Sequence, residues 1–426
     1  MAVWGYRPGI ANVDDYRLAA GRRLPRLLFD YLDGGASGEV TLAANLSDLR
    51  RIRLRPAVLR DVSAVSLACG FLGARHAMPL MLGPIGSLGA FRAGGEAAAF
   101  RAAKTAGIPA CLSSFSVTAP ENLLDRMPPE NAFQVYVLKD RGRTEALLDR
   151  VARAGFGTLV ATVDTAVSGI RERDVRNGLR RLSRPGPSII ADFLCHPLWL
   201  AERLRSRPLT MFLADGWPEA GSTYMEQAGF LAGQIDSSLT WHDLEWLRRR
   251  WSGKLVVKGV LTADDARQSV GCGAEAVVVS NHGGRQLDGV CSTIRALPGV
   301  AEAVDGNAEV LFDGGVRRGG DVAKALALGA SACLLGRAYV YGLVAAGESG
   351  VAEVVRLLSE ELQATLALMG MTGISDHRAV GALDPTSLRE GAEEGTAGSL
   401  MNDLGAQMKE GRSSNDQRRV DRLDIE

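Results

Sequence analysis

Eight short apolar runs, each closing on a polar residue or glycine, constrain this chain more than any other feature. They lie at 78–84, 109–114, 132–138 and 158–164, then at 254–259, 274–284, 309–315 and 331–337. Runs of this length read as strands buried on both faces, because a strand with one wet face would alternate apolar and polar residues. Between them lie segments with the apolar period of helices. Examples are GGEAAAFRAAKTAG at 94–107, RTEALLDRVARAG at 143–155, TADDARQSVGCG at 262–273 with Thr262 as N-cap, and GGDVAKALALGA at 319–330. Two groups of four βα units favour an α/β fold of the (β/α)8 TIM-barrel type, and a doubly wound open sheet is the competing arrangement.

At roughly 150 residues per domain, 426 residues would suggest two or three domains. The barrel reading instead makes 1–393 one domain, with an N-terminal helical extension over 1–77 and a long insertion over about 165–240 after the fourth strand. The polar, aperiodic tail at 394–426 is expected to be disordered.

Several function classes fall away. Lys plus Arg number 49 and Asp plus Glu number 49, so no net charge favours nucleic acid as a partner. The six cysteines are scattered without a CxxC pair, so neither a metal site nor a redox dithiol is expected. The first twenty residues lack the basic and apolar regions of an export signal, and no apolar run approaches the ~18 residues of a membrane span. A cytoplasmic location is the expectation.

In a parallel barrel, chemistry sits at the C-terminal ends of the strands. Polar residues gather there on strand after strand: Ser113 and Ser114, Gln134 and Tyr136, Thr162 and Asp164, Lys258, Ser280 with Asn281, His282 and Arg285, then Asp313, and finally Gly336 with Arg337. Polar groups are costly in buried strands unless they bond to something, so these ends predict a site. In the last two units, DGGVRRGGD at 313–321 and LGR at 335–337 set glycine and Arg317 or Arg337 at helix N-termini, a phosphate-binding arrangement. Of the five histidines only His282 lies in a glycine-rich strand-end loop. An imidazole base is usually oriented by a carboxylate, and Asp164 and Asp288 are both candidates. Arg285 suits a carboxylate ligand, whereas Arg171 in RERD reads by itself as a solvated arginine.

Together these residues resemble the FMN-dependent α-hydroxy acid dehydrogenases and oxidases. The resemblance rests on SNHGGRQLDG (280–289), FQVYVLKDR (133–141), TVDT (162–165), LVVKGV (255–260), DGGVRRGGDVAKALALGA (313–330) and GR (336–337). LPRLLFDYLDGGASGEVTLAAN (24–45) is similar to the family's N-terminal segment, and the likeness covers about 10–375. It implies an FMN enzyme that oxidises an L-2-hydroxy acid to the 2-oxo acid. His282 is then the base and Asp164 its partner. Arg171, against its plain reading, joins Arg285 and Tyr31 in binding the substrate carboxylate, and Tyr136 lies near the substrate hydroxyl. Lys258 is implied beside flavin N1. Pro84, Ile85, Gly86, Ser113, Gln134, Thr162 and Ser280 are implied flavin contacts, and Asp313, Gly315, Arg317, Gly336 and Arg337 ribityl and phosphate contacts.

Departures narrow the member. Ile85-Gly86 stands where glycolate oxidases have Thr-Ala, and Gly86 is like the bacterial lactate and mandelate dehydrogenases. That implies a quinone or another non-oxygen acceptor, with an oxidase forming hydrogen peroxide as the alternative. Phe115 replaces a tryptophan of glycolate oxidase, which leaves the length of the substrate open. DFLCHPLWLAERLRSR (192–207) is similar to a stretch of the membrane-associated dehydrogenases. It predicts peripheral contact over about 188–207 with the cytoplasmic face of the inner membrane; the competing reading is a loop covering the active site or packing on a neighbour. The resemblance also implies a homotetramer. Glycine is in excess, 50 in 426, and Gly86, Gly283, Gly284, Gly314, Gly315 and Gly336 are expected where backbone approaches a ligand.

Overall fold

The computed structural model describes residues 9–123, 128–179 and 186–374; the tail expected at 394–426 lies outside them. Each of the eight apolar runs forms a strand. A short hairpin, β1 (Cys69–Phe71) and β2 (Ala74–His76), precedes β3 (Leu80–Leu82), β4 (Cys111–Ser113), β5 (Ala132–Val135) and β6 (Thr158–Thr162). After a long excursion come β7 (Lys254–Val260), β8 (Ala276–Val279), β9 (Glu309–Asp313) and β10 (Ala332–Leu335). Strands β3 to β10 form one parallel sheet in the order β3-β10-β9-β8-β7-β6-β5-β4. The Leu82–Ala110 bridge joins β3 back toward β4 and closes the ring. The open-sheet alternative is therefore excluded.

Alternate residues of each strand point inward. Met81, Cys111, Ala132, Val160, Val256, Val278, Leu311 and Leu334 form one buried cluster inside the barrel, with Phe71 and Leu72 of the hairpin turn plugging its base. The other strand positions, such as Phe133, Leu159, Val257 and Phe312, pack outward under the helices in a second, larger core. Two residues above each inner apolar residue stands the next inward position. These positions are Ser113, Gln134, Thr162, Lys258, Ser280 and Asp313. Register holds them level: Ser113 pairs with Gln134 and Thr162 with Lys258. The top layer of the barrel interior is thus polar where the layers beneath are apolar.

The helices expected at 94–107, 143–155, 262–273 and 319–330 appear as Gly95–Ala106, Arg141–Arg153, Ala263–Gly271 and Gly319–Ala327. Thr262 caps its helix through the Asp265 amide, as expected. N-terminal helices Val13–Arg23, Arg26–Asp33 and Val40–Arg51 lead the segment 30–45 over the top of the barrel. Between β6 and the helix Trp241–Arg250, which runs into β7, lie Glu172–Arg176, Pro187–Leu194, Pro197–Arg205 and Tyr224–Gln234. The closing helices Arg337–Ala346 and Glu348–Leu368 cross at Gly342 and Gly350, where a Cβ on either would overlap the other's carbonyl.

Candidate active site

The loop after β8 shows how local sequence builds the site. His282, Gly283 and Gly284 take φ values of 56°, 64° and 73°, three left-handed residues in succession. Two glycines adopt this freely; the histidine does so at a cost on the order of 1 kcal/mol. Hydrogen bonds hold the turn: Ser280 Oγ accepts from the His282 amide at 3.1 Å, and Asn281 Oδ1 accepts from the Gly284 amide at 3.1 Å. Asn281 and Asn45 exchange amide hydrogen bonds of 2.8 and 2.9 Å, tying the loop to the helix Val40–Arg51.

This conformation brings His282 Nδ1 to 2.9 Å from Asp164 Oδ1 at the end of β6. Asp288, the other candidate partner, instead accepts from the Val40 and Thr41 amides at 3.3 and 2.8 Å. Burial works to raise the Asp164 carboxyl, but His282 and Lys258 outweigh it and hold the group below the ordinary carboxylate range. Gln286 donates to the carbonyls of Asp164 and Val167, both at 3.0 Å, which fixes the loop that follows.

Lys258, Ser280 and Asp313 form a buried triad on three adjacent strands. Lys258 Nζ lies 3.0 Å from Ser280 Oγ and 3.2 Å from Asp313 Oδ2, and Ser280 donates to Asp313 at 2.7 Å. Burial disfavours the ammonium, but Asp313 and Asp164 more than offset it, so Lys258 stays a cation above its usual range. Across the barrel Ser113 donates to Gln134 Oε1 at 2.9 Å. The amide nitrogen of Gln134 and the hydroxyls of Thr162 and Ser114 are buried with no hydrogen-bond partner among the described residues. Two of these orphaned atoms, on Gln134 and Thr162, stand in the same inward layer as the Lys258 cation and mark a surface suited to a heteroatom-rich ring.

On the outer side, Arg171 and Arg285 each set Cζ 5.2 Å from the centre of the Tyr31 ring. Arg285 donates to the Gly34 carbonyl at 2.8 Å, and burial together with the neighbouring Arg171 depresses its pKa. Arg171 is no solvated arginine: its Nε donates to the buried Asp174 at 2.6 Å. That carboxylate went unread in the sequence, although the i,i+3 spacing within RERD was its signal. Phe115 meets Tyr136 edge to face at 5.4 Å, and burial pushes the Tyr136 hydroxyl pKa up, so it stays protonated.

The two arginines expected to bind phosphate are held differently. Arg337 is buried and donates to the carbonyls of Leu32, Gly34 and Gly283; burial and Arg285 bring its pKa down to about 10. Arg317 donates to the Val316 carbonyl and faces Tyr341 at 5.6 Å. Pro84, Ile85 and Gly86 follow β3, where a Cβ on Gly86 would lie 3.1 Å from Phe115 Cβ. A Cβ on Gly336 would meet only Ile85 Cδ1, at 3.9 Å, so this strand end is open. Other loop glycines are demanded by the protein itself. A Cβ on Gly284 would strike the Leu42 amide nitrogen at 2.6 Å, one on Gly314 would strike Thr293 Oγ1 at 2.5 Å, and Gly315 abuts the Asn45 carbonyl.

Comparison with known proteins agrees with this geometry. The family model for FMN-dependent dehydrogenase matches residues 20–381. An L-lactate dehydrogenase of Stenotrophomonas maltophilia (strain R551-3) is 46% identical over 370 residues, spanning 86% of this chain and 97% of that protein. An L-lactate dehydrogenase of Alcaligenes faecalis is 43% identical over 374 residues, covering 86% and 97%. Among solved structures, the monotopic membrane protein (S)-mandelate dehydrogenase superposes with a TM-score of 0.84 at 39% identity, covering 88% of this chain and 99% of the other. A mandelate oxidase superposes with a TM-score of 0.74 at 35% identity, covering 88% and 98%. With a closed parallel barrel, a His–Asp pair at its mouth and a match across most of its length, the chain belongs to the FMN-dependent dehydrogenase family.

Proposed function

We propose that this protein oxidises a small L-2-hydroxy acid to the 2-oxo acid and passes the electrons through FMN to a quinone or another non-oxygen acceptor. The observation that carries the reading is the His282–Asp164 contact of 2.9 Å beneath the Tyr31–Arg171–Arg285 cluster. With Nδ1 donating to Asp164, the neutral imidazole keeps its lone pair on Nε2. Nε2 can then take a proton from the substrate, and the imidazolium formed pairs with a carboxylate already charged. The Nη groups of Arg171, which have no hydrogen-bond partner among the described residues, and the guanidinium of Arg285 offer a fork for the substrate carboxylate, which balances two neighbouring positive charges. Protonated Tyr136 is a hydrogen-bond donor to the substrate oxygen, and Phe115 and Ile85 bound the space left for its side chain.

The residues present fit FMN. Gln134 Nε2 and the hydroxyl of Thr162 supply unpaired polar atoms for the ring. Ser113, Ser280 and Lys258 stand in the same layer. Asp313, Gly315, Arg317, Gly336 and Arg337 lie at the ends of β9 and β10, where the helices Gly319–Ala327 and Arg337–Ala346 begin. FMN supplies two-electron redox chemistry, and the Lys258 cation suits the negative charge of its reduced form.

Membrane contact is part of the proposal. In the helix Pro197–Arg205, Trp199 donates to the Ala90 carbonyl at 3.2 Å and Glu202 accepts from the Ala93 amide at 2.8 Å, so one face is docked on the barrel. Ile190, Leu194 and Leu198 are left exposed. Among the described residues no helix is long and apolar enough to cross a membrane, so contact would be peripheral. A homotetramer is the assembly proposed.

Anaerobic mixing with a panel of L-2-hydroxy acids tests the reaction: the bound flavin is expected to bleach with at least one of them and with none of the D-enantiomers. If no member bleaches it, the reading fails. Turnover in air with stoichiometric hydrogen peroxide would assign the oxidase reaction instead.

A further inference from the structure

Arg173 lies two residues beyond Arg171, on the helix Glu172–Arg176, and its side chain turns toward the N-terminal segment. There it meets three carboxylates. Nη1 is 3.2 Å from Asp33 and 3.6 Å from Asp30, and Nη2 pairs with Glu39. Each partner is fastened in turn. Asp33 is buried, takes a bidentate pair from Arg17 at 2.6 and 2.7 Å, and accepts the Tyr341 hydroxyl at 2.8 Å. Asp30 accepts from the Asn177 amide at 2.7 Å, and Glu39 accepts from the Gly35 amide at 2.9 Å.

Tyr31 sits between Asp30 and Asp33 on the helix Arg26–Asp33. Arg171 immediately precedes the helix that carries Arg173 and is closed by Asn177. The two halves of the carboxylate-binding cluster therefore come from elements about 140 residues apart in the chain, and their ion pairs, such as Arg173–Asp33, span that separation. The Ser37 amide adds a 2.7 Å hydrogen bond to the Ile170 carbonyl. Arg171 pairs instead with Asp174.

We infer that Arg173 is a positioning residue for substrate binding, clasping the insertion to the N-terminal helix so that Arg171 is held against Tyr31. The inference rests on the proposal that Arg171 and Tyr31 receive the substrate carboxylate. Contacts to that carboxylate are made in the ground state and the transition state alike, so loosening them raises KM and leaves kcat largely alone. A residue that served only folding would lower thermal stability without that split.

The test uses holoenzyme with its best 2-hydroxy acid. Arg173→Met is expected to raise KM about tenfold or more, with kcat within about threefold and with normal flavin content and absorption. Arg173→Lys keeps a cation among the three carboxylates and is expected to recover most of that loss. Arg17→Met cuts two hydrogen bonds to the same Asp33 but none to the insertion; it is expected to lower Tm and leave KM unchanged. Arg171→Met, run alongside, tests the underlying reading. If Arg171→Met leaves KM unchanged, the substrate-carboxylate assignment fails. If Arg171→Met raises KM and Arg173→Met does not, or if Arg17→Met raises it equally, the positioning role is overturned.

Discussion

At the scale of single residues, the decisive fact is which carboxylate meets His282. By their residue types and spacing alone Asp164 and Asp288 are both candidate partners; the family resemblance implies Asp164, and the turn at 282–284 brings His282 to it. In the proposed reaction Asp164 gives more than orientation, because its held negative charge would stabilise the imidazolium formed when the proton arrives. Asp164→Asn can still accept from Nδ1 but lacks that charge. We expect kcat to fall about a hundredfold or more, with flavin content unchanged, as charge stabilisation in a buried site is worth several kcal/mol. Rapid anaerobic reduction of the bound flavin checks this, since product release does not enter that measurement. A rate of flavin reduction near that of the wild type would remove Asp164 from the proton transfer. The polar strand ends were legible because Lys258, Ser280 and Asp313 interrupt apolar strands, where an unpaired polar group is costly. Arg171 was not legible without the resemblance, since the i,i+3 spacing to Asp174 in RERD does not by itself tell a buried pair from a solvated one.

At the scale of elements, the barrel strands and the helices between them could be read directly, since each buries an apolar face with its own period. Illegible were contacts between distant elements. The closing helices cross on Gly342 and Gly350, and the hairpin Cys69–His76 plugs the barrel base; neither has a local signature. The same holds for the N-terminal helix Arg26–Asp33, which is attached through ionic groups. Burial works to raise the Asp33 carboxyl, but Arg17 and Tyr341 outweigh it and lower its pKa from 3.8 to about 2. A carboxylate depressed on folding contributes stability above its unfolded value and loses it as pH falls through the folded one. The window is therefore pH 4 down to pH 2, and a shift of this size corresponds to about 2 kcal/mol. Asp33→Asn is expected to be less stable than the wild type at pH 7, with the gap closing by pH 2. Denaturant midpoints measured across that range check it, and a gap that persists to pH 2 would assign the loss to packing.

At the scale of the whole molecule, the proposed membrane contact has to be made by a chain with no net charge and no spanning helix among its described residues. In that proposal one short segment of the insertion divides the labour. Trp199 and Glu202 fasten it to the loop after β3, which also carries Ile85 and Gly86, while Ile190, Leu194 and Leu198 face outward. Burying three such side chains at an interface is worth about 1.5 to 3 kcal/mol each at most, enough for reversible docking and far from permanent insertion. Wild-type holoenzyme is accordingly expected to co-sediment with phosphatidylglycerol vesicles at low ionic strength. The triple change Ile190→Asp, Leu194→Asp and Leu198→Asp should leave it in the supernatant. None of the three touches the site, so turnover with a soluble dye as acceptor should match the wild type. Turnover with a quinone embedded in the vesicles should collapse. Equal quinone turnover by both forms would mean that electrons leave without docking, and the outward apolar face would need another partner.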